Sequence, residues 1–300
     1  MIKAKPIFLV ALLCLVSFTG CDDDDDDDDT MPTTDNLILD ISGLEDLGSD
    51  YAYEGWLIVD GSPVSAGVFN VDGSGNLSQT SFELSIDDID SATAYILTIE
   101  PSPDSDSSPS SVHILAGDFS GNSATLAVGH SAALGDDFSS ASGGYILATP
   151  TDGSDTTDEN SGVWWLDPAG GPGAALSLPT LPSGWEYEGW AVIDGTPLST
   201  GKFLTSTGED DAAPYSATTA SGPPFPGEDF LENAPPGPTF PTDLAGMMVV
   251  ISVEPDPDNS SSPFLLKPLV GSVPASATDH VLYDMDNNSI ATNPTGTASR

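Results

Sequence analysis

Tyr53-Glu54-Gly55-Trp56, followed by Asp60-Gly61, Pro63, Ser65, Gly67 and Phe69, recurs as Tyr187-Glu188-Gly189-Trp190, Asp194-Gly195, Pro197, Ser199, Gly201 and Phe203. A second matched pair, Ile99-Glu100-Pro101-Ser102-Pro103-Asp104 and Val253-Glu254-Pro255-Asp256-Pro257-Asp258, follows in the same order. One folding unit is therefore present twice, and any chemistry placed on it must be shared by both copies or gained by one. Tyr187 lies 134 positions after Tyr53, whereas Glu254 lies 154 after Glu100, so the second copy holds about twenty extra residues between its motifs. They fall in a stretch with Pro223-Pro224-Phe225-Pro226, Pro235-Pro236, Pro238 and Phe240-Pro241. Proline at that density favours an extended, low-entropy loop, and Phe225, Phe230 and Phe240 give the loop apolar side chains.

Short runs rich in Val, Ile, Leu, Thr, Tyr and Phe alternate with Gly, Pro, Asp and Ser clusters, and no long stretch has helical periodicity, which predicts an all-β chain. In the first copy the strands are expected at 37–41, 53–59, 64–71, 77–86, 92–100, 111–116 and 144–149. In the second they are expected at 164–166, 176–181, 187–193, 198–203, 247–254, 265–270 and 281–285. Asp60-Gly61-Ser62-Pro63 and Asp72-Gly73-Ser74-Gly75-Asn76 close hairpins, while Pro101, Pro103 and Pro109 stop the strand ending at Glu100. The pattern predicts two tandem antiparallel β-sandwich domains of Ig-like or Greek-key type, at 36–160 and 161–300, with the proline-rich insertion at about 205–242. Apolar residues on both faces of 53–59 make that strand central, and Trp56 and Trp190 core residues first.

The N-terminus carries Lys3 and Lys5, an apolar run from Ile7 to Val16, and Phe18-Thr19-Gly20-Cys21, the n-region, h-region and cleavage site of an export signal. The run is too short to span a bilayer. Residues 1–20 resemble a bacterial lipoprotein signal peptide, and the resemblance implies acylation of Cys21, which would hold the protein on a lipid bilayer without spanning it. Asp22 to Asp29 follow without interruption, and like charges at that density cannot bury apolar surface, so 21–35 is expected to be a disordered, solvated tether. An acidic run directly after the lipidated cysteine resembles the signal that sends some bacterial lipoproteins to the outer face of the outer membrane. Cys14 lies in the leader and Cys21 carries lipid, so no disulfide is expected.

With 47 acidic residues against 5 basic, the net charge is −42, which excludes nucleic acid as a partner because a phosphate backbone needs a basic footprint. Of the two acidic stretches that could hold calcium, 72–76 is followed by Leu77 where an EF-hand needs its Gly, and Asp284-Met285-Asp286-Asn287-Asn288 is followed by Ser289 and Thr295 where it needs Gly and Glu. Both are read as hairpin turns. His113, His130 and His280 are not spaced for zinc. Gly129-His130-Ser131-Ala132-Ala133 imitates a nucleophile elbow, but it ends in Ala and lacks the α/β alternation an elbow needs. Glu54, Glu188, Glu100 and Glu254 could be offered as paired catalytic carboxylates, yet their presence in both copies points to acceptors of backbone or hydroxyl hydrogen bonds at strand ends. No catalytic residue, metal or cofactor is therefore expected.

The ordered set Tyr-x-Gly-Trp, Asp-Gly-x-Pro, Gly-x-Phe, a strand ending in Glu-Pro, and a Ser/Pro loop leading to another strand resembles the extracytoplasmic C-terminal domain of anti-sigma-K factors. The resemblance covers Tyr53 to Gly117 and Tyr187 to Gly271. It implies a β-sandwich module that, in the family, forms the outer half of a membrane-spanning regulator. With a lipobox at the N-terminus in place of a cytoplasmic sigma-binding segment, the chain is not expected to sequester a sigma factor itself. The reading that results is a non-catalytic, lipid-anchored envelope protein, surface-exposed on the outer membrane, that senses or binds a protein or envelope component. Cys21 is the lipidation site, and Phe225, Phe230, Phe240, Trp164 and Trp165 are the candidate interaction residues. The alternative is a glycan- or Ca²⁺-binding surface lipoprotein, with Trp164, Trp165 or Trp185 stacking on sugar rings.

Overall fold

The computed structural model describes residues 33–258 and 260–300, so the expected lipidation site at Cys21 and the acidic run lie outside the described residues. From 33 onward the chain forms one compact unit. Its strands are β1 (Thr34–Ser42), β2 (Tyr51–Val59), β3 (Ser62–Phe69), β4 (Ser81–Ser85), β5 (Ala92–Pro101), β6 (His113–Ser120) and β7 (Ser123–Ala127), with the short helix α1 (Ile86–Ser91) between β4 and β5. Then come β8 (Ser142–Leu147), β9 (Val163–Trp164), β10 (Leu166–Asp167), β11 (Gly173–Ala174), β12 (Leu176–Ser177), β13 (Trp185–Ile193) and β14 (Thr196–Phe203). The last are β15 (Gly227–Glu228), β16 (Met248–Pro255), β17 (Leu269–Ser272), β18 (Tyr283–Asn287), the single-turn helix α2 (Ser289–Thr292) and β19 (Thr295–Ser299). The chain is all-β, as its patterning requires.

Two large antiparallel sheets carry the strands. The first runs β3-β2-β5-β6-β7-β19-β1-β4, and the second runs β14-β13-β16-β17-β18-β8-β9-β15, with β12 also paired to β8. Phe82 of β4 packs on Phe69 of β3 with ring centroids 6.2 Å apart, so the first sheet curls until its two edge strands meet. The repeat is legible strand by strand. Tyr53 faces Phe69 and Tyr187 faces Phe203 across the two hairpins, and each hairpin carries a bulge after its Gly, between Gly55 and Trp56 or between Gly189 and Trp190. A bulge twists the pair and re-aims the side chains that follow. Here Gly is obligatory: a Cβ on Gly55 would lie 2.2 Å from the Tyr95 hydroxyl, and one on Gly189 2.3 Å from the Thr200 hydroxyl. Both tyrosines stack on their phenylalanines, at 5.6 and 5.7 Å, and both hydroxyls reach back eight residues, to the carbonyls of Glu45 and Pro179.

Sheet membership does not follow the division at residue 160. β8, from the first half of the chain, sits in the second sheet between β18 and β9, whereas β19, from the far end, sits in the first sheet between β7 and β1. One continuous apolar core runs through both copies, from Leu37 and Tyr53 to Trp165, Tyr187 and Ala298. The repeat accounts for β2-β3-β5-β6 and β13-β14-β16-β17, and the strands that complete each sheet lie outside it.

Other differences have local causes. The strand expected at 77–86 is shorter, and Ile86 begins α1, whose first turn carries Asp87 and Asp88, where the helix N-terminus favours negative charge. The strand expected at 265–270 begins only at Leu269, after Pro268, which has no N–H to give a ladder. Residues 284–287 are not a turn. They belong to β18, which pairs with both β8 and β17, and Asn287 donates to the carbonyls of Phe138 and Ala141 at 2.7 and 2.8 Å.

β19 pairs five residues with β7 and five with β1, and Arg300 just beyond it donates to the carbonyls of Ile89 and Ala92 while lying 4.4 Å over the Phe119 ring. Deleting residues 295–300 is expected to lower the melting temperature of the entire chain by roughly 10 °C or more in a single transition, since several kcal/mol of pairing and burial go with a central strand. Thermal unfolding followed by near-ultraviolet circular dichroism checks this, and a transition in which only half the signal moves would show that the two sheets unfold separately.

Candidate functional site

Polar chemistry inside this fold gathers at the repeated Glu-Pro strand ends. The register places Glu54 opposite Thr98 and Glu188 opposite Ser252, and the two-residue period of a strand then puts Glu100 and Glu254 on those same faces. In the first copy the Trp56 indole Nε1 donates to the Thr98 hydroxyl at 2.9 Å, Thr98 donates to Glu100, and the backbone N of Ser110 also donates to Glu100 at 2.8 Å. In the second copy the Trp190 indole donates to Ser252 at 2.7 Å, Ser252 donates to Glu254, and Phe264 N donates to Glu254 at 2.9 Å. Ser65 and Ser199 donate to Glu54 and Glu188. Glu100 and Glu254 thus accept hydroxyl and backbone hydrogen bonds at strand ends, whereas Glu54 and Glu188 lie mid-strand and accept hydroxyl bonds, and Trp56 and Trp190 are core residues at 2% exposure each.

The two copies then part. Lys202 faces Glu188 across the β13–β14 hairpin where Val68 faces Glu54 in the first copy. Its ammonium lies 3.1 Å from Glu186 and 3.3 Å from Asp258, whose side chain is only 5% exposed. Asp104, at the position matching Asp258, is exposed and accepts from the backbone N of Asp106 at 2.9 Å. In the second copy, therefore, carboxylate oxygens of Glu188, Glu254 and Asp258 lie within 4.8 Å of one another. Glu188 Oε2 is buried with no hydrogen-bond partner. Burial raises Glu254 to about 8, aided by the charges of Glu188 and Asp258, and raises Glu188 to about 7. Burial also raises Glu54 above the usual carboxylate range.

Asp258 also lines a cavity of about 400 Å³ where the Glu-Pro ends of both copies converge with the loop after β1. Its apolar surface includes Leu47, Tyr51, Ile99, Val112 and Phe264, and its acidic groups are Glu45, Asp46, Asp256 and Asp258. Burial lifts Glu45 to about 7, against the pull of Lys267.

The aromatic candidates sit elsewhere. Trp164 and Trp165 are 4% and 0% exposed, and Trp185 is 2% exposed, so none of the three presents an indole face to solvent. Phe230 is fully buried and packs with Tyr215 and the half-buried Phe240, while Phe225 lies half-buried against the small cluster of Ile146, Ala148, Trp164 and Leu166. The proline-rich insertion thus turns its rings inward. Two fully buried carboxylates, which sequence patterning had not singled out, pin it. Asp229 accepts from the Trp164 indole at 2.7 Å and from Thr151 N at 2.8 Å, and Glu228 accepts from Ser216 and from Tyr215 N at 3.1 Å. The adjacent Gly227-Glu228 forms the edge strand β15, and Glu-Asp between Gly and Phe gives no sequence signal of a buried pair.

The remaining sequence candidates stay apart. Ser131 is exposed in a turn, and the His280 imidazole bonds its neighbour Asp279 at 2.9 Å. Asp72 accepts from the backbone N of Ser74 and Asn76 at 2.8 and 2.9 Å, which makes 72–76 the turn expected of it.

Residues 30–114 match the model of the family described as anti-sigma-K factor rskA, C-terminal. This stretch resembles the anti-sigma-K C-terminal domain. The match spans β1 to the start of β6, which is the first copy of the repeat, and the second copy of this anti-sigma-K-like unit shares its register without lying in the matched residues. No curated protein and no solved structure matches the chain. Among the described residues, no helix is long and apolar enough to cross a membrane.

The raised carboxyls set a direction for stability. Glu45, Glu188, Asp210 and Glu254, raised to about 7, 7, 7 and 8, hold protons in the folded chain at pH values where the unfolded chain has released them. Their contribution is complete below the unfolded values of 3.8 to 4.5 and is lost as pH rises through 7 to 8. The melting temperature is expected to fall between about pH 4 and pH 8, and Glu254→Gln, which keeps an acceptor for Ser252 and Phe264 without the charge, should flatten that slope. Melts of both proteins across the range check the assignment, and an unchanged slope in the variant removes Glu254 as a source.

Proposed function

We propose that the chain is a non-catalytic, lipid-anchored envelope protein whose anti-sigma-K-like units form a rigid module for binding or sensing a protein partner. The observation that carries this reading is the 400 Å³ cavity, which draws on equivalent strand ends of both copies and combines an apolar lining with acidic groups. Such a surface suits a segment of an envelope protein that is basic and partly apolar, and the net charge of −42 would speed its approach. A non-catalytic role is supported by how the conspicuous groups are used. Glu54, Glu100, Glu228 and Asp229 are occupied by the protein's own hydroxyl and amide donors, and Ser131 lies exposed in a turn. Acylation at Cys21, with the acidic run beyond it as tether, would place the cavity outside the cytoplasm.

Two measurements test this. Cys21→Ser is expected to abolish incorporation of labelled palmitate and to release the full chain from the membrane fraction; retention of label removes the anchor. A photo-crosslinking residue at Asp46, which lines the cavity and is exposed, is expected to capture an envelope protein in intact cells. The same residue at Ile290, 92% exposed on α2, should not capture it. Identical products from both positions would remove the cavity as the binding surface.

A further inference from the structure

We propose that the second copy of the repeat binds a divalent cation, with Glu188, Glu254 and Asp258 as its carboxylate ligands and calcium as the ion that this all-oxygen set suits. Two oxygens bound to one calcium ion at roughly 2.4 Å can be no more than about 4.8 Å apart. The carboxylate oxygens of these three residues meet that limit for every pair, lying within 4.8 Å of one another. A hard cation with six to eight oxygen ligands fits donors that can each bind through one oxygen or two, and water from the cavity that Asp258 lines would complete the shell.

Proximity of acidic groups alone would not make a site, but Glu188 supplies an independent sign. It is 3% exposed, and its Oε2 is enclosed with no donor. A buried carboxylate oxygen left unpaired is costly, and a cation beside it removes that cost. Lys202 relieves it only from a distance, since its ammonium pairs with Glu186 and Asp258 and acts on Glu188 by its charge without an ion pair. One ammonium is therefore shared between Glu186 and Asp258, and neither Glu188 nor Glu254 has an ion-pair partner among the described residues. On binding, the ion takes Asp258 and Lys202 keeps Glu186.

The first copy is a built-in control. It has Glu54 and Glu100 on the same scaffold, but Asp104 is exposed and Val68 replaces the lysine. The site belongs to the second copy alone, and it is distinct from 72–76 and 284–288. It also stands whatever partner the cavity takes.

The test uses the full chain at high salt, titrated with terbium as a luminescent calcium surrogate under indole excitation. The Trp190 indole is two hydrogen bonds from Glu254, through Ser252, so an ion held there is sensitised. One saturable phase is expected, displaced by calcium and weakened at least about tenfold by Glu188→Gln or Asp258→Asn, because carboxylate charge sets the affinity of such sites. Asp258→Asn keeps an acceptor for Ser260 N, at 2.7 Å in the wild type, so the loop should hold its shape, as circular dichroism would verify. Asp104→Asn should change nothing, and Lys202→Met, which removes a competitor for Asp258, should tighten binding. A terbium phase left intact by both Asp258→Asn and Lys202→Met, or weakened as much by Asp104→Asn as by Asp258→Asn, would overturn the site.

Discussion

A chain with 47 acidic and 5 basic residues cannot neutralise its buried carboxylates with cations, and much of the interior follows from that shortage. Three of the five basic residues lie among the described residues, and each is already engaged. Lys202 pairs with Glu186 and Asp258, Lys267 lies half-buried near Glu45, and Arg300 spends its guanidinium on backbone carbonyls and the face of Phe119. Glu54, Glu100, Glu228 and Asp229 are instead met by hydroxyl, indole and amide donors. Hydrogen bonding to a carboxylate compensates its desolvation only in part, so the most enclosed groups also hold their protons to higher pH.

This way of satisfying buried acids explains why the repeat has the composition it has. Each Glu-Pro end needs a hydroxyl two residues earlier, an indole on the neighbouring strand to orient that hydroxyl, and a following loop that turns an N–H back toward the carboxylate. Proline after the glutamate ends the ladder at that point and frees the loop to return. Trp, Ser or Thr, Glu and Pro are therefore one polar unit threaded through an apolar core. Its loss in either copy would strand a donor or an acceptor with no water nearby.

The central strands were legible because their signals are local: β2, β3, β5 and their counterparts carry apolar runs bounded by Asp-Gly turns and prolines. β7 and β19 were not. Thr295-Gly-Thr-Ala-Ser buries chiefly Ala298, and nothing in so polar a run tells that it lies between β7 and β1. Strand exchange between the halves is a property of long-range pairing, which leaves no trace in a two-residue period. The aromatic residues of the insertion show the converse failure. Phe225, Phe230 and Phe240 in a proline-rich loop read as available surface, whereas the buried acids Glu228 and Asp229 fold that loop onto its own sheet. Burial of Trp164 follows from its bond to Asp229, a pairing across 65 positions that no local pattern contains.

Duplication sharpens the question of where function resides. The two hairpins share register, bulge, stacked rings and the Trp-hydroxyl-Glu relay, so those features serve folding in both places. Around the Glu188 side chain, where the backbone plan is the same and the charges differ, the second copy has Glu186, Lys202 and an enclosed Asp258 where the first has Ala52, Val68 and an exposed Asp104. None of these three changes is required by the sheet, because the first copy folds without them. A lysine brought into a largely enclosed carboxylate cluster pays desolvation and side-chain entropy, and such an arrangement contributes little to stability over the apolar alternative already present at Val68. The difference is therefore better understood as tuning the cluster's affinity for a positive charge than as reinforcing the fold, and its position beside the cavity places that charge where a bound partner would sense it.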